Sequence, residues 1–221
     1  MIILIDPGHG GSDPGAVGNG LREKDINLSV CLDLVPMLKA RGIDAILTRA
    51  TDVGISLRAR TDLALSRKAK AVISVHHNSG NGRGIETYRS VFNAGSKKMA
   101  ELVHAELVKV FPELPNRGIK TRLYPKRTDW DYYHMIREPH RQAGIPSIIT
   151  EAGFIDNAVD AAIMKRADFV RRQAEALAAG IFRFFGVETG NEACRQELER
   201  VKAELGIARG KIADIGQILN R

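Results

Sequence analysis

The chain has 221 residues, 44% of them hydrophobic, which fits one domain of ordinary size plus a short extra element and excludes global disorder. Its formal charge is +7, from 33 basic and 26 acidic side chains. Glu188–Arg221 holds six of each, so the whole excess falls on the preceding residues and favours polyanionic surroundings, nucleic acid and an anionic cell wall alike.

The predicted elements alternate. Ile2–Ile5 is a short apolar run ended by Asp6-Pro7-Gly8 and reads as a buried strand. Met1–Asp6 lacks the basic leader, long apolar run and cleavage site of a secretory signal, so synthesis in the cytoplasm without a signal peptide is expected. Asp25–Arg41 carries Ile26, Val30, Leu34 and Leu38 at helical spacing and is closed by Gly42. Cys31 lies on that apolar stripe, a core position. It and Cys194 have neither metal-type spacing nor a disulfide framework. Ile43–Leu47 is a second strand, Ser56–Ala69 a helix capped by Ser56, and Ala71–Val75 a third strand. Ile85–Val91 reads as a strand and Gly95–Phe111 as a helix ended by Pro112. The stretch 112–144 is expected to be an irregular excursion over one end of the sheet, with a helix near Tyr132–Gln142. Pro146–Thr150 is a buried strand, and Val159–Phe185 one long amphipathic helix with Gly186 past its end.

Alternating strands and helices predict a single α/β domain with a mostly parallel twisted sheet flanked by helices, over residues 1–186. Residues 187–221 differ in kind. Cys194, Leu198, Val201, Leu205, Ala208, Ile212, Ile215 and Leu219 alternate by four and three, a heptad seam. Gly206, Gly210 and Gly216 weaken a lone helix, so this tail is expected to pair with a second copy through residues 194–219 or to dock on its own domain. No apolar run is long enough to span a bilayer.

Four polar residues stand out. His9 follows the first strand, Glu23 precedes the first helix, His76 follows the third strand and Glu151 follows Pro146–Thr150. Three of them fall at carboxyl ends of strands, which in an open parallel sheet face one edge and one crevice. Two imidazoles and a carboxylate are a common catalytic zinc set, and a further free carboxylate supplies proton transfer. Gly8-His9-Gly10-Gly11 is no phosphate loop, because the Lys-Ser/Thr ending is missing.

In order along the chain, Ile5-Asp6-Pro7-Gly8-His9-Gly10-Gly11, Gly20-Leu21-Arg22-Glu23-Lys24-Asp25, Leu47-Thr48-Arg49, Ser74-Val75-His76-His77-Asn78, Gly84-Ile85-Glu86-Thr87-Tyr88 and Glu151-Ala152-Gly153-Phe154-Ile155 resemble the motifs of the zinc-dependent N-acetylmuramoyl-L-alanine amidases of the amidase-3 type. The likeness runs over about residues 2–185. It implies Zn²⁺ as cofactor, with His9, Glu23 and His76 as ligands and Glu151 as general acid and base. It implies peptidoglycan as the partner rather than nucleic acid, cleaved between N-acetylmuramic acid and L-alanine; with no signal peptide expected, release to the wall by lysis or holin-type export is expected. A phage or prophage endolysin and a sporulation enzyme both fit.

The sequence departs from the family at His77, where a small or apolar residue is usual. Neighbours on an extended chain face opposite ways, so His76 and His77 are not expected to bind one ion. His77 is expected in the core or behind the ligands. Asn78 either orients a ligand or starts a turn, and Arg137 either binds a peptide carboxylate or is solvated. His104 is expected to be structural, and His134 and His140, in the irregular excursion, to be solvated rather than to touch substrate. Lys120, Arg122, Lys126 and Arg127 form either a wall-binding patch or a solvated face. Two other functions stay open: a wall-binding scaffold of the same fold without turnover, and a zinc peptidase acting on another peptidoglycan amide.

Overall fold

The computed structural model describes residues 1–187, of which Met1–Phe185 form one compact unit. The heptad seam and any pairing through it lie outside the described residues. The first strand is β1 (Ile2–Pro7), buried on both sides from Ile3 onward. A small ribbon of β2 (Val17–Gly18) and β3 (Leu21–Arg22) leads into α1 (Glu23–Lys39), whose Ile26, Val30, Leu34 and Leu38 are buried as the spacing predicts. Next come β4 (Asp44–Leu47), α2 (Leu57–Ser66), β5 (Val72–Asn78), β6 (Ile85–Arg89) and α3 (Ala94–Val110). Ser56 caps α2 by accepting from Ala59 N at 3.2 Å.

The stretch expected to be irregular is largely ordered. It holds β7 (Asn116–Lys120), a hairpin of β8 (Leu123–Tyr124) and β9 (Arg127–Asp131), and α4 (His134–Ala143) with Gly144 in the left-handed cap conformation. The chain closes with β10 (Ser147–Phe154), α5 (Ala158–Met164) and α6 (Phe169–Phe185). The single helix expected over Val159–Phe185 is therefore two. α5 packs on β10, and its buried Asp160 accepts from Gly84 N and Phe154 N, whereas α6 packs on α1 and α3. One straight rod cannot meet both surfaces.

The main sheet has the order β4-β1-β5-β10-β6-β7. β4, β1, β5 and β10 are parallel, β6 runs antiparallel to β10, and β7 runs parallel to β6. Side-chain alternation sorts the faces. Leu4, Val72 and Ile149 form a core with Ala64 of α2 and Met135 and Ile136 of α4. The other face lies under α1, α3 and α6, with Ile73, Val75, Val30, Val103 and Leu177 fully buried. Cys31 is a buried free thiol of α1, as expected. No helix among the described residues is long and apolar enough to cross a membrane.

At the carboxyl edge of this sheet sits a buried carboxylate, Asp6. Its Oδ1 accepts from Arg60 Nη1 at 2.6 Å and from Thr48 Oγ1 at 2.6 Å, and its Oδ2 accepts from Ser74 Oγ at 2.5 Å. Asp6 is 1% exposed and Arg60 4%, so neither charge has water as an alternative partner. Breaking one half of such a pair strands the other charge. Arg60→Met, which keeps much of the side-chain volume, is expected to destabilise the domain by about 3–5 kcal/mol in denaturant unfolding. A change below about 1 kcal/mol, the surface-pair range, would show that the pair carries little.

Candidate metal centre

His9 stands two residues beyond β1, where the strand's carbonyls have lost their ladder partners. Two arginines take them up. Arg49 donates to Pro7 O at 3.1 Å and Gly8 O at 2.9 Å; Arg60 donates to Pro7 O and His9 O, both at 2.7 Å. His9 itself has φ +61°, the left-handed region that few non-glycine residues occupy. The clamped loop thereby sets the direction of the imidazole. His9 Nδ1 lies 2.8 Å from Asp13 Oδ2, which favours a proton on Nδ1 and a lone pair on Nε2.

Glu23 opens α1 rather than preceding it, and is 4% exposed. Its Oε2 accepts from Ala16 N at 2.8 Å and lies 3.1 Å from His9 Nε2. Its Oε1 lies 2.8 Å from His76 Nδ1 and accepts from His77 N at 3.2 Å. One ligand atom each from His9, Glu23 and His76 falls within 4.8 Å of the others. Glycines make the room. A Cβ on Gly8 would stand 2.2 Å from the His76 ring, and one on Gly15 2.6 Å from both Glu23 Oε2 and His9 Cδ2. His9 backed by Asp13, Glu23 backed by Ala16 N and His77 N, and His76 beside them match in donor chemistry a three-ligand zinc set.

His76 and His77 part company as alternation requires. His77 is 1% exposed on the opposite face, between Asn27 Oδ1 at 2.8 Å and the Gln173 amide at 3.0 Å. Burial pulls its pKa down to about 4, more strongly than Glu23 raises it, so it is neutral. Asn27 also donates to Gly8 O and Glu23 Oε1, at 3.3 and 3.4 Å. His77 therefore supports the cluster through Asn27 without entering it.

Glu151 lies inside β10, not after it. It is in register with His76 on one side and with Glu86 of β6 on the other, so the three share a face. Its Oε2 is enclosed and has no hydrogen-bond partner among the described residues. Burial, then the charges of Glu23 and Glu86, push its carboxyl well above the usual range. Asn78 donates to Glu86 Oε1 at 2.8 Å, and its Oδ1 accepts from Ser79 N in the turn that follows. Arg137 is spent within its own region. It donates to Asp131 O, Tyr132 O and Glu138 Oε1 and lies near the Trp130 and Tyr124 rings. His104 joins Thr87 to Asn116 and is structural, as expected. His134 and His140, expected to be solvated, are half-buried and tie α4 to Thr61 and Asn93. Sequence reasoning singled out neither Asp13 nor Asn27, and named Glu86 only as part of a motif. His9 and Asp13 stand four residues apart, a spacing that fixes nothing in a glycine-rich loop.

A mostly parallel sheet that brings two imidazoles and two carboxyl groups to its carboxyl edge defines the class: a mixed α/β domain with a candidate metal centre at that edge. The chain belongs to the Amidase_3 family, the N-acetylmuramoyl-L-alanine amidases, whose pattern matches residues 3–183. It is 35% identical over 189 residues to a sporulation-specific N-acetylmuramoyl-L-alanine amidase of Bacillus subtilis, covering 84% of this chain and 69% of that one. It is 33% identical to an endolysin of Bacillus phage SPP1, covering 89% and 71%. The catalytic domain of CwlV, an N-acetylmuramoyl-L-alanine amidase of Bacillus (Paenibacillus) polymyxa, superposes with a TM-score of 0.73 at 30% identity, covering 85% of this chain and 99% of that one.

In the metal-free protein the cluster is held by protons. Burial opposes a charge on His9, but the hydrogen bonds and charges of Glu23 and Asp13 outweigh it and push its pKa up to about 9. Burial likewise opposes charge on Glu23, and the bonds from His76 and His9 outweigh it, holding that carboxyl far below its usual range. A histidine raised on folding contributes stability that is complete below its ordinary pKa near 6.5 and is lost as pH rises through the folded value. The melting temperature of chelator-treated protein is therefore expected to fall between about pH 6.5 and 9, and to fall less in His9→Asn. Equal slopes in the two proteins would remove His9 from the cause.

Proposed function

We propose that this chain hydrolyses the amide between N-acetylmuramic acid and L-alanine in peptidoglycan, with zinc held by His9, Glu23 and His76. The observation that carries the reading is the enclosed, unpartnered Oε2 of Glu151 in register beside that cluster. A scaffold without turnover has no use for a carboxyl kept in so costly a state. The names of the relatives support the bond and the substrate.

Zinc bound there would supply a Lewis acid for the scissile carbonyl and lower the pKa of water towards roughly 7. The chain's own groups do the rest. Asp13 holds His9 in one tautomer, and Ala16 N, Asn27 and His77 N hold the Glu23 carboxylate in place. Burial makes Glu151 more basic than an ordinary carboxylate, while a cation in the neighbouring centre favours its charged form. Glu151 then takes a proton from the attacking water and delivers it to the nitrogen of the departing L-alanine.

The ligand set predicts that His9→Ala, Glu23→Ala and His76→Ala each lose zinc in metal analysis of the folded protein, while His77→Ala retains it. Full zinc in His76→Ala with none in His77→Ala would reverse the choice between the two histidines. The proton role predicts that Glu151→Gln keeps zinc and loses turnover by a factor of about 10² or more, as removal of a general acid–base does. Mass spectrometry of wild-type digests should show new L-alanine amino termini with intact glycan. Loss of zinc in Glu151→Gln would make this residue a ligand instead.

A further inference from the structure

Glu86 is 2% exposed, next to Glu151 in register and on the same sheet face. Two cations of the edge strand β7 converge on one of its oxygens. Arg117 Nε donates to Glu86 Oε2 at 2.6 Å, and Lys120 Nζ donates to the same oxygen. Glu86 Oε1 is already taken by Asn78 Nδ2 at 2.8 Å and Tyr88 OH at 2.9 Å. One carboxylate thus faces two full positive charges, and the group carries a surplus of +1.

That surplus is open to solvent. The Arg117 and Lys120 side chains are 35% and 34% exposed, against 3% for Glu86. An ammonium has three donors, and Lys120 gives one to Glu86. Arg117 uses Nε on Glu86 and reaches Arg83 O with Nη1 at 3.5 Å, which leaves Nη2 without an acceptor among the described residues. Its guanidinium is fixed 4.8 Å over the Phe154 ring. Directly opposed strand residues stand roughly 4.5–5.5 Å apart, so these donors lie about one side chain beyond Glu151. A preorganised positive pair at that distance from a reacting amide is matched to an anionic group on the same substrate.

We propose that Arg117 and Lys120 form a subsite for a free carboxylate on the stem peptide, in the residue that follows L-alanine. The inference rests on the amidase reading and adds to it a preference between two wall chemistries. A stem whose second residue keeps its α-carboxylate supplies the charge that Glu86 leaves unmatched. A stem amidated at that position supplies a neutral group.

The test compares N-acetylmuramoyl-L-alanyl-D-glutamate with its D-isoglutamine counterpart, both blocked as the γ-methylamide so that only the α-carboxylate differs, using the zinc-loaded full chain. The carboxylate substrate is expected to be favoured about tenfold in kcat/KM, with the difference in KM and shrinking as salt is raised. Arg117→Gln and Lys120→Gln should each bring the ratio towards one, and Lys120→Arg should keep it. Equal use of the two substrates by the wild type, or a preference that survives in the double glutamine variant, would overturn the subsite. The wild-type arm decides even if a variant fails to fold. If neither compound is cut at the lactyl–alanine bond, the amidase reading fails instead. Calorimetric titration of the two dipeptides into the same protein still judges the subsite, which requires tighter binding of the acid.

Discussion

Asp6 carries a carboxylate into the middle of the sheet's carboxyl edge, where only protein can neutralise it. Arg60 comes from α2, Thr48 from the end of β4 and Ser74 from β5, so satisfying one buried charge fixes four segments against one another. The same Arg60 continues to Pro7 O and His9 O, and Arg49 meets it from the other side at Pro7 O and Gly8 O. The loop bearing His9 is thereby held by charge-assisted bonds in a backbone conformation it would not adopt alone. A metal site requires its ligands placed to a fraction of an ångström, and loops do not supply that by themselves. Here the charge buried beneath the loop supplies it.

The elements that position the cluster were legible because their signals are local. Ile2–Ile5, Ala71–Val75 and Pro146–Thr150 are short, mostly apolar and β-branched runs bounded by turn signals, as buried strands of a parallel sheet are, and the polar residues stand at or just past their ends. The edge of the sheet was not legible. β7 reads Asn-Arg-Gly-Ile-Lys, with one apolar residue and no alternation, because an edge strand next to a polar face needs none. The break between α5 and α6 has no glycine or proline to announce it. It follows from Asp160 anchoring α5 to the β10 side, which is a tertiary demand. Alternation separates His77 from His76, yet the link of His77 through Asn27 to Glu23 depends on packing between α1 and β5, which no spacing records.

The basic residues of the excursion likewise take their roles from tertiary neighbours rather than from sequence pattern. Lys120 belongs to Glu86, while Arg122 and Arg127 lie over the Tyr132 and Trp130 rings at 3.8 and 4.0 Å. A guanidinium stacked on an aromatic face is neither a loose solvated charge nor a diffuse patch. The sequence offered those two descriptions, and pairing with specific neighbours sets three of the four residues, Lys120, Arg122 and Arg127, apart from both.

Three carboxyl groups near the cleft show how one side-chain chemistry takes three roles. Glu23 accepts two imidazoles and two backbone N–H groups, so its negative charge is held firmly and suits a cation. Glu86 accepts two cations, a phenol and an amide, so its charge is more than cancelled and it presents a positive surface outward. Glu151 stands in the same row with neither, and burial first, then the nearby carboxylates, raises its affinity for a proton. Environments that push neighbouring carboxyl groups apart in acidity are how a site separates charge from proton transfer. Exchanging the neighbours of Glu86 and Glu151 would exchange their chemistry, since the side chains are identical. The assignment of proton transfer to Glu151 therefore lies in what surrounds each carboxyl, and the register of β5, β10 and β6 determines those surroundings.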